Sequence, residues 1–140
     1  MIEVVLDANV LVAAFRSSLG ASYRLLQMLE RRVWRPVISP TLALEYEAVL
    51  KRGTVGGALT LGDIDDFLEY LYSRSNPVQT YFRWRPTLPD PNNDDRILEV
   101  AVRPKCPIVT FNARDFMGAE RFGVRVMSPK ELLTLVGGHR

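Results

Sequence analysis

A short apolar run that ends in a carboxylate opens the chain and constrains its fold more than any other feature. Residues 2–6 read IEVVL, a pattern typical of a buried strand, and Asp7 follows directly. Parallel α/β sheets place their functional groups at the carboxyl ends of the strands. Asp7 is therefore predicted to lie at the chemically important edge of such a sheet.

Short β-branched runs alternate with longer helical patterns along the rest of the chain, which favours an α/β fold with a parallel sheet covered by helices. Further strands are predicted at residues 37–38, 108–111 and 124–127. Helices are predicted over residues 10–15, 23–29, 40–52, 61–72, 94–102 and 129–136. Ser39 before Pro40 reads as a helix start, and the pairs Thr60 with Asp63 and Ser128 with Glu131 read as capping boxes.

Length and composition set the class of protein. The chain has 140 residues, of which 47% are apolar, so we expect one domain over residues 1–140 with a single core. No apolar run approaches the roughly 20 residues of a membrane span, and no signal-like start is seen, so we expect a cytoplasmic protein. Cys106 is the only cysteine, which excludes an internal disulfide and argues against a structural zinc site.

Three further acids recur at positions that resemble that of Asp7. Glu45 shares a helix face with Leu42, so its carboxylate lies beside the surface that is turned toward the core. Asp94 opens a predicted helix, where the helix dipole stabilises negative charge, and Asp115 follows the predicted strand 108–111. We therefore expect the four carboxylates to converge on one edge of the sheet.

Two of these acids have simpler interpretations that stay open. Asp94 fits an ordinary acid at a helix start, and Asp115 fits a loop acid paired with Arg114. Asn112 nearby is itself a possible oxygen ligand. Several carboxylates held within about 4–6 Å raise one another's pKa and oppose folding, and a divalent cation removes that cost. Because Mg²⁺ and Mn²⁺ prefer oxygen ligands, the pattern predicts a site for one of them.

Four segments in this order resemble the PIN-domain ribonucleases, particularly the toxin components of prokaryotic toxin-antitoxin pairs. They are VLDANVLVAAF at the start, ISPTLALEYEAVLKR, LPDPNNDDRILEVAV, and VTFNARDF followed by MSPKELL. The resemblance spans nearly the whole chain. It implies a three-layer α/β/α domain with a central, mostly parallel sheet and Mg²⁺- or Mn²⁺-dependent cleavage of single-stranded RNA. It also implies a small antitoxin partner and a homodimer.

The resemblance also assigns roles to single residues. Asp7, Glu45, Asp94 and Asp115 match the catalytic acids, with Asp7, Asp94 and Asp115 on the metal. Asn9, Thr110 and Asn112 match positions that orient the site. The sequence departs from the pattern at two places. DPNND stands where DPxD is usual, so Asp90 or Asp95 could replace Asp94, and many relatives carry an acid at the position of Asn112.

Basic and aromatic residues are the candidates for binding the RNA. The formal net charge is only +2, but gathering four acids in one pocket leaves a more basic surface elsewhere. The candidates for binding phosphates are Arg83, Arg85, Arg96 and Arg114. The candidates for stacking on bases are Tyr46, Tyr81, Phe82 and Trp84, which are as well explained as core or interface residues.

Two alternatives compete with the nuclease interpretation. The LDANV start also fits haloacid-dehalogenase-type phosphatases, but these usually need a second Asp where this chain has Asn9. A catalytically degenerate domain that binds RNA or acts as a scaffold is the non-enzymatic alternative. Such a domain would lack some of the metal-binding acids, whereas all four candidate acids are present in this chain.

Overall fold

Five parallel strands form the central sheet of this protein. The computed structural model describes residues 1–52, 60–79, 97, 100–101 and 105–137. Within these residues the strands are β1 (Ile2–Leu6), β2 (Trp34–Ile38), β3 (Asn76–Pro77), β4 (Ile108–Val109) and β5 (Val126–Met127). Their order across the sheet is β3-β2-β1-β4-β5, and every pairing is parallel. Helices flank this sheet, so the predicted α/β class is confirmed.

The helices in the described part of the chain are five in number. They are α1 (Ala8–Arg16), α2 (Ala21–Gln27), α3 (Pro40–Arg52), α4 (Leu61–Ser73) and α5 (Pro129–Leu135). Short 3₁₀ turns occupy Met28–Arg31, Ala113–Phe116 and Ala119–Phe122. No described helix has the length and apolar content that a membrane crossing requires.

The strand order places a switch point between β1 and β4. From β1, the chain first extends the sheet toward β2 and β3, and later adds β4 and β5 on the other side. Val5 pairs with Ile108 and Leu6 with Val109, so β1 and β4 end side by side. In open parallel sheets the crevice at such a point is the usual ligand site, because loops diverge there in opposite directions.

Local sequence signals set the helix starts. The Ser39 hydroxyl accepts a hydrogen bond from the backbone N–H of Leu42 at 3.1 Å, which caps α3 as predicted. Both predicted capping boxes are formed, Thr60 with Asp63 at α4 and Ser128 with Glu131 at α5. These contacts involve residues three apart, so they form wherever the helix forms.

The core is built from the strands and the inner faces of the helices. Val4, Val5 and Leu6 are fully buried, as a central parallel strand requires. Trp34 at the start of β2 is buried too, and its indole N–H donates to the carbonyl of Leu25 at 2.9 Å, which fixes α2 to the sheet. The apolar stripe of α4 joins the same core cluster.

Several predicted boundaries differ from those in the structure. α1 begins at Ala8 because the chain turns into a helix immediately after Asp7, and β2 extends back to Trp34. β4 ends at Val109, although the N–H of Thr110 still donates to the carbonyl of Met127 on β5 at 3.0 Å. The pair Asn76–Pro77, for which no strand was predicted, forms β3 at one edge of the sheet.

One predicted element lies mostly outside the described residues. Of the predicted helix 94–102, Ile97, Val100 and Ala101 are described, and all three are helical and buried. Their i, i+3, i+4 spacing gives one buried helix face. The glycines at 53, 56 and 57, which were expected to end α3, also lie outside the described part of the chain.

Candidate active site

Asp7 lies at the switch point, between the end of β1 and the start of α1. Its backbone is extended (φ −70°, ψ 143°), and its carbonyl accepts a hydrogen bond from the N–H of Val10 at 3.0 Å. The residue thus occupies the N-cap position of α1, but its side chain makes no capping hydrogen bond. The half-buried carboxylate is instead turned toward β4, where Thr110 donates to its Oδ2 at 2.7 Å.

The hydroxyl of Thr110 links three polar residues. It donates its one hydrogen to Asp7 and accepts from the Asn9 side-chain amide at 3.3 Å and from the Asn112 backbone N–H at 3.0 Å. A hydroxyl has one donor and two acceptor sites, so all three are used. Since two N–H donors occupy the acceptor sites, the hydrogen must point to Asp7. Oδ2 of Asp7 is therefore held as an acceptor.

Asn9 connects the start of α1 to the segment after β4. Its amide nitrogen donates to Thr110 Oγ1, and its Oδ1 accepts from the backbone N–H of Phe111 at 3.4 Å. The oxygen and nitrogen positions follow from this pairing. Asn9 therefore holds two parts of the chain about 100 residues apart in sequence in a fixed relation.

The surroundings of Asp7 disfavour its negatively charged form. Burial raises the pKa of Asp7 above its ordinary value, and the nearby carboxylate of Asp115 raises it further. The Thr110 hydroxyl and the backbone N–H groups of Asn9 and Ala8 offset only part of this. Two carboxylates that repel each other in a partly buried crevice are an arrangement that a cation stabilises.

Asp115 is placed by a 3₁₀ turn that follows β4. Phe116 in this turn is buried and anchors it to the core, while Asp115 is partly exposed beside it. The N–H of Asp115 donates to the carbonyl of Asn112 at 3.0 Å, which closes the turn. The side chains of Asn112 and Arg114 are exposed, so both face solvent at the rim of the crevice.

Glu45 is carried by α3, which is fixed to the end of β1 by its neighbour in sequence. Tyr46 is fully buried and its hydroxyl donates to the carbonyl of Leu6, one residue before Asp7. Burial, then the charges of Asp7 and Glu45, raise the pKa of Tyr46 well above its ordinary value. Tyr46 therefore belongs to the core and supports the site from beneath, so its predicted role in base stacking is not available.

The anchoring role of Tyr46 was not found from the sequence, although a signal was present. Leu42, Tyr46 and Leu50 follow each other at intervals of four residues and are all buried. That spacing marks one inward face of a helix. A tyrosine on such a face needs a partner for its hydroxyl, and the end of a neighbouring strand offers a free carbonyl.

The structure brings Asp7, Asn9, Thr110, Asn112 and Asp115 together at one end of β1 and β4. Glu45 lies on the adjacent helix, partly buried. The remaining candidates lie outside the described residues, namely Asp94, its alternatives Asp90 and Asp95, the arginines Arg83, Arg85 and Arg96, and the aromatic residues Tyr81, Phe82 and Trp84.

The donor set of the described crevice suits a hard divalent cation. The residues just named offer carboxylate and amide oxygens, with no sulfur or imidazole among them. In the described part of the chain, no three acidic, histidine or cysteine side chains are close enough together to hold a metal ion. Mg²⁺ uses only one or two carboxylates directly and keeps several waters, so the pair Asp7 and Asp115 meets that requirement.

Comparison with known families agrees with this geometry. The model of the PIN domain family matches residues 3–114, which include β1, α1 and most of the crevice. Asp115 lies one residue beyond the matched segment. A search among curated proteins finds no match to the chain.

Proposed function

This chain belongs to the PIN domain family, and we propose that it is a Mg²⁺- or Mn²⁺-dependent endoribonuclease that cleaves single-stranded RNA. PIN domains are generally nucleases and usually bind a divalent metal. The observation that carries the proposal is the partly buried carboxylate of Asp7, which Thr110 holds at the switch point of the sheet with Asp115 nearby. Membership of this family decides against the phosphatase alternative.

The chain's own residues prepare the crevice for a phosphodiester. Thr110 holds Oδ2 of Asp7, and Asn9 keeps the segment after β4 at a fixed distance. Tyr46 fixes α3 to the end of β1, which limits how far Glu45 can move. Such fixed side chains lower the cost of organising the site during the reaction.

Asp7 and Asp115 would hold the metal, with Asp94 as a third acid from outside the described residues. A bound divalent ion lowers the pKa of water and neutralises charge on the phosphate. Glu45, on the neighbouring helix, would accept a proton from the attacking water. Oxygen ligands alone favour Mg²⁺ or Mn²⁺ over zinc.

Cleavage assays test the activity. Wild-type protein is incubated with labelled single-stranded RNA of mixed sequence in Mg²⁺, in Mn²⁺ and in EDTA, beside the variants Asp7→Asn and Asp115→Asn. We expect divalent-ion-dependent internal cleavage that both variants lose. Asp66→Asn is the matched control, because Asp66 is an exposed acid on α4, and it should cleave like the wild type. Equal cleavage by Asp7→Asn and Asp66→Asn would refute the assignment.

The biological setting is proposed on the segments that resemble toxin components. In this setting the protein is a toxin that acts as a homodimer, and a small antitoxin neutralises it by covering the acidic crevice. Expression in a bacterial host tests this, because wild type should arrest growth and Asp7→Asn should not. RNA binding without cleavage under every ion condition would instead favour the degenerate scaffold.

A further inference from the structure

A groove lies beside the turn that carries Asp115, next to the start of β5. It has a volume of about 630 Å³, and its walls are formed by the turn Ala113–Phe116, Met117, the turn Ala119–Phe122 and the start of β5. We call it the C-terminal groove. Ala113 and Phe116 line it and flank Asp115 in the same turn, so the groove begins within about one residue of a proposed metal ligand. Its size lies within the range of small-ligand sites.

The C-terminal groove carries free positive charge. Arg121 and Arg125 line it, both are exposed, and neither makes an ion pair with any residue that the structure describes. Glu120 is the one acid among the lining residues. Arg114, also exposed, lies on the turn that joins the groove to the site. The groove is therefore complementary to a chain of phosphates that leads away from the acidic crevice.

The backbone that presents these arginines is fixed. Ala119 and Val124 are buried and joined by a hydrogen bond from the Val124 N–H to the Ala119 carbonyl, at 3.3 Å. Gly118 and Gly123 adopt left-handed conformations at either end of the 3₁₀ turn (φ 98° and 74°), where a side chain would be strained. A surface organised in advance loses less entropy when it binds a ligand.

Apolar groups beside the arginines favour a nucleotide over a simple anion. Met117 lines the groove with 67% of its surface exposed, and Phe111, on the other side of Asp115 in sequence, is 53% exposed. The Phe111 backbone is held by Asn9, so the ring extends from a fixed position next to the site. Thioether and aromatic groups contact the faces of unpaired bases without selecting a sequence.

We propose that the C-terminal groove binds the segment of single-stranded RNA next to the scissile phosphate, with Arg121 and Arg125 on its phosphates and Met117 against a base. This inference rests on the proposed nuclease function, since it assigns the path of that substrate.

Binding measured without cleavage tests the proposal independently of catalysis. Full-length protein is titrated against a short fluorescein-labelled RNA of mixed sequence in EDTA, and anisotropy is recorded over a range of salt concentrations. Each phosphate contact on a single strand contributes about 0.7 to the slope of log K against log salt. The double variant Arg121→Gln/Arg125→Gln should therefore show a slope reduced by about 1.4 and binding weakened about 25-fold at 0.1 M salt.

The double variant Arg16→Gln/Arg31→Gln is the matched control. It removes the same charge from exposed positions at the end of α1 and before β2, neither of which lines the groove. It should retain most of the wild-type affinity and slope. Thermal melting of both variants checks folding, which exposed arginines should leave unchanged.

The outcomes separate the two proposals. One outcome is that the groove variant binds RNA more weakly while the control variant does not, and the wild type cleaves no RNA in Mg²⁺ or Mn²⁺. This outcome would support RNA binding in the groove and refute the nuclease activity. Equal RNA binding by the groove and control variants would overturn the groove, whether or not the wild type cleaves. Loss of binding to a protein partner with unchanged RNA binding would also overturn the proposal, because the groove would then bind a protein and not the substrate. Met117→Glu should weaken binding further, because it places a negative charge beside the phosphates.

Discussion

Two strand-to-helix junctions at the same edge of the sheet use their polar residue in different ways. At the end of β2, Ser39 is buried and its hydroxyl caps α3. At the end of β1, Asp7 occupies the same N-cap position of α1 but forms no side-chain cap, and its carboxylate bonds to Thr110 on the far side of the switch point. Asp is among the best capping residues, so a capping opportunity is left unused there.

The difference separates a stabilising residue from a functional one. Ser39 satisfies a helix N–H and leaves no polar group for solvent or ligand. Asp7 is held by a residue about 100 positions away, in an environment where burial and Asp115 raise its pKa. An acid kept where its charge costs stability fits the proposal that this site binds a cation.

Substituting Asp7 should have the largest effect on activity. Asp7→Asn keeps the size of the side chain and an acceptor for Thr110 but removes a proposed metal ligand. We expect RNA cleavage to fall by about 10³-fold, a loss typical of removing a group that stabilises developing charge. The same variant should melt at a higher temperature than the wild type in EDTA, because it no longer buries a charge. A lower melting temperature would contradict the proposed strain at Asp7.

Removing the hydroxyl of Thr110 should affect both activity and stability. Thr110→Val preserves shape but leaves the Asn9 amide and the Asn112 N–H without their acceptor. We expect cleavage to fall about 10–100-fold, as for other residues that orient a metal ligand. The free energy of unfolding should fall by about 1–3 kcal/mol in urea melts, the cost of an unsatisfied buried polar group. Thr110→Ser, which keeps the hydroxyl, should recover most of the activity.

Substituting Ser39 should lower stability but leave activity nearly unchanged. Ser39→Ala removes the cap of α3, and we expect the free energy of unfolding to fall by about 1 kcal/mol while cleavage stays within about twofold of wild type. Thr60→Ala, at the start of α4, is the comparison for a cap far from the site. If Ser39→Ala lost activity as strongly as Thr110→Val, the two junctions would not differ in the way described.

The smallest effect concerns the pH dependence of stability in the absence of metal. The pKa of Asp7 is raised in the folded state, so the protonated form is the favoured one there. The stabilising effect of that proton is fully present below the unfolded pKa and is lost as pH rises through the folded pKa. The gain in melting temperature from Asp7→Asn should therefore be larger at neutral pH than near pH 4, with EDTA present throughout. An equal gain at both pH values would show that ionisation of Asp7 does not cost stability.

Local signals accounted for much of the fold but not for the lengths of its strands. The caps of α3, α4 and α5 were predicted because each depends on residues three apart. The strand β3 was not predicted, since two residues at a sheet edge carry no periodicity. The end of β4 at Val109 was not predicted either, because the apolar run continues to Phe111.

The candidate site was likewise predicted only in part from the sequence. Asp7 and Asp115 were identified from their places after apolar strands and Asn112 as a nearby oxygen ligand, whereas Asn9 and Thr110 came from segments that resemble one family. The resemblance gave no distances, and the roles of these residues stay predictions. The roles of Asp94, Arg83, Arg85 and Arg96 also stay predictions, as they lie outside the described residues. No sequence motif marks Arg121 and Arg125, and only their position in the C-terminal groove identifies them as candidates.

The sequence by itself determined the starts of α3, α4 and α5 and that a carboxylate follows the first strand, because these properties depend on neighbours a few residues apart. The tertiary structure alone decided that β4 lies beside β1, that the Thr110 hydroxyl meets Asp7, and that Tyr46 reaches the carbonyl of Leu6. Contacts between residues far apart in sequence depend on the order of strands in the sheet, and that order follows from how the whole core packs.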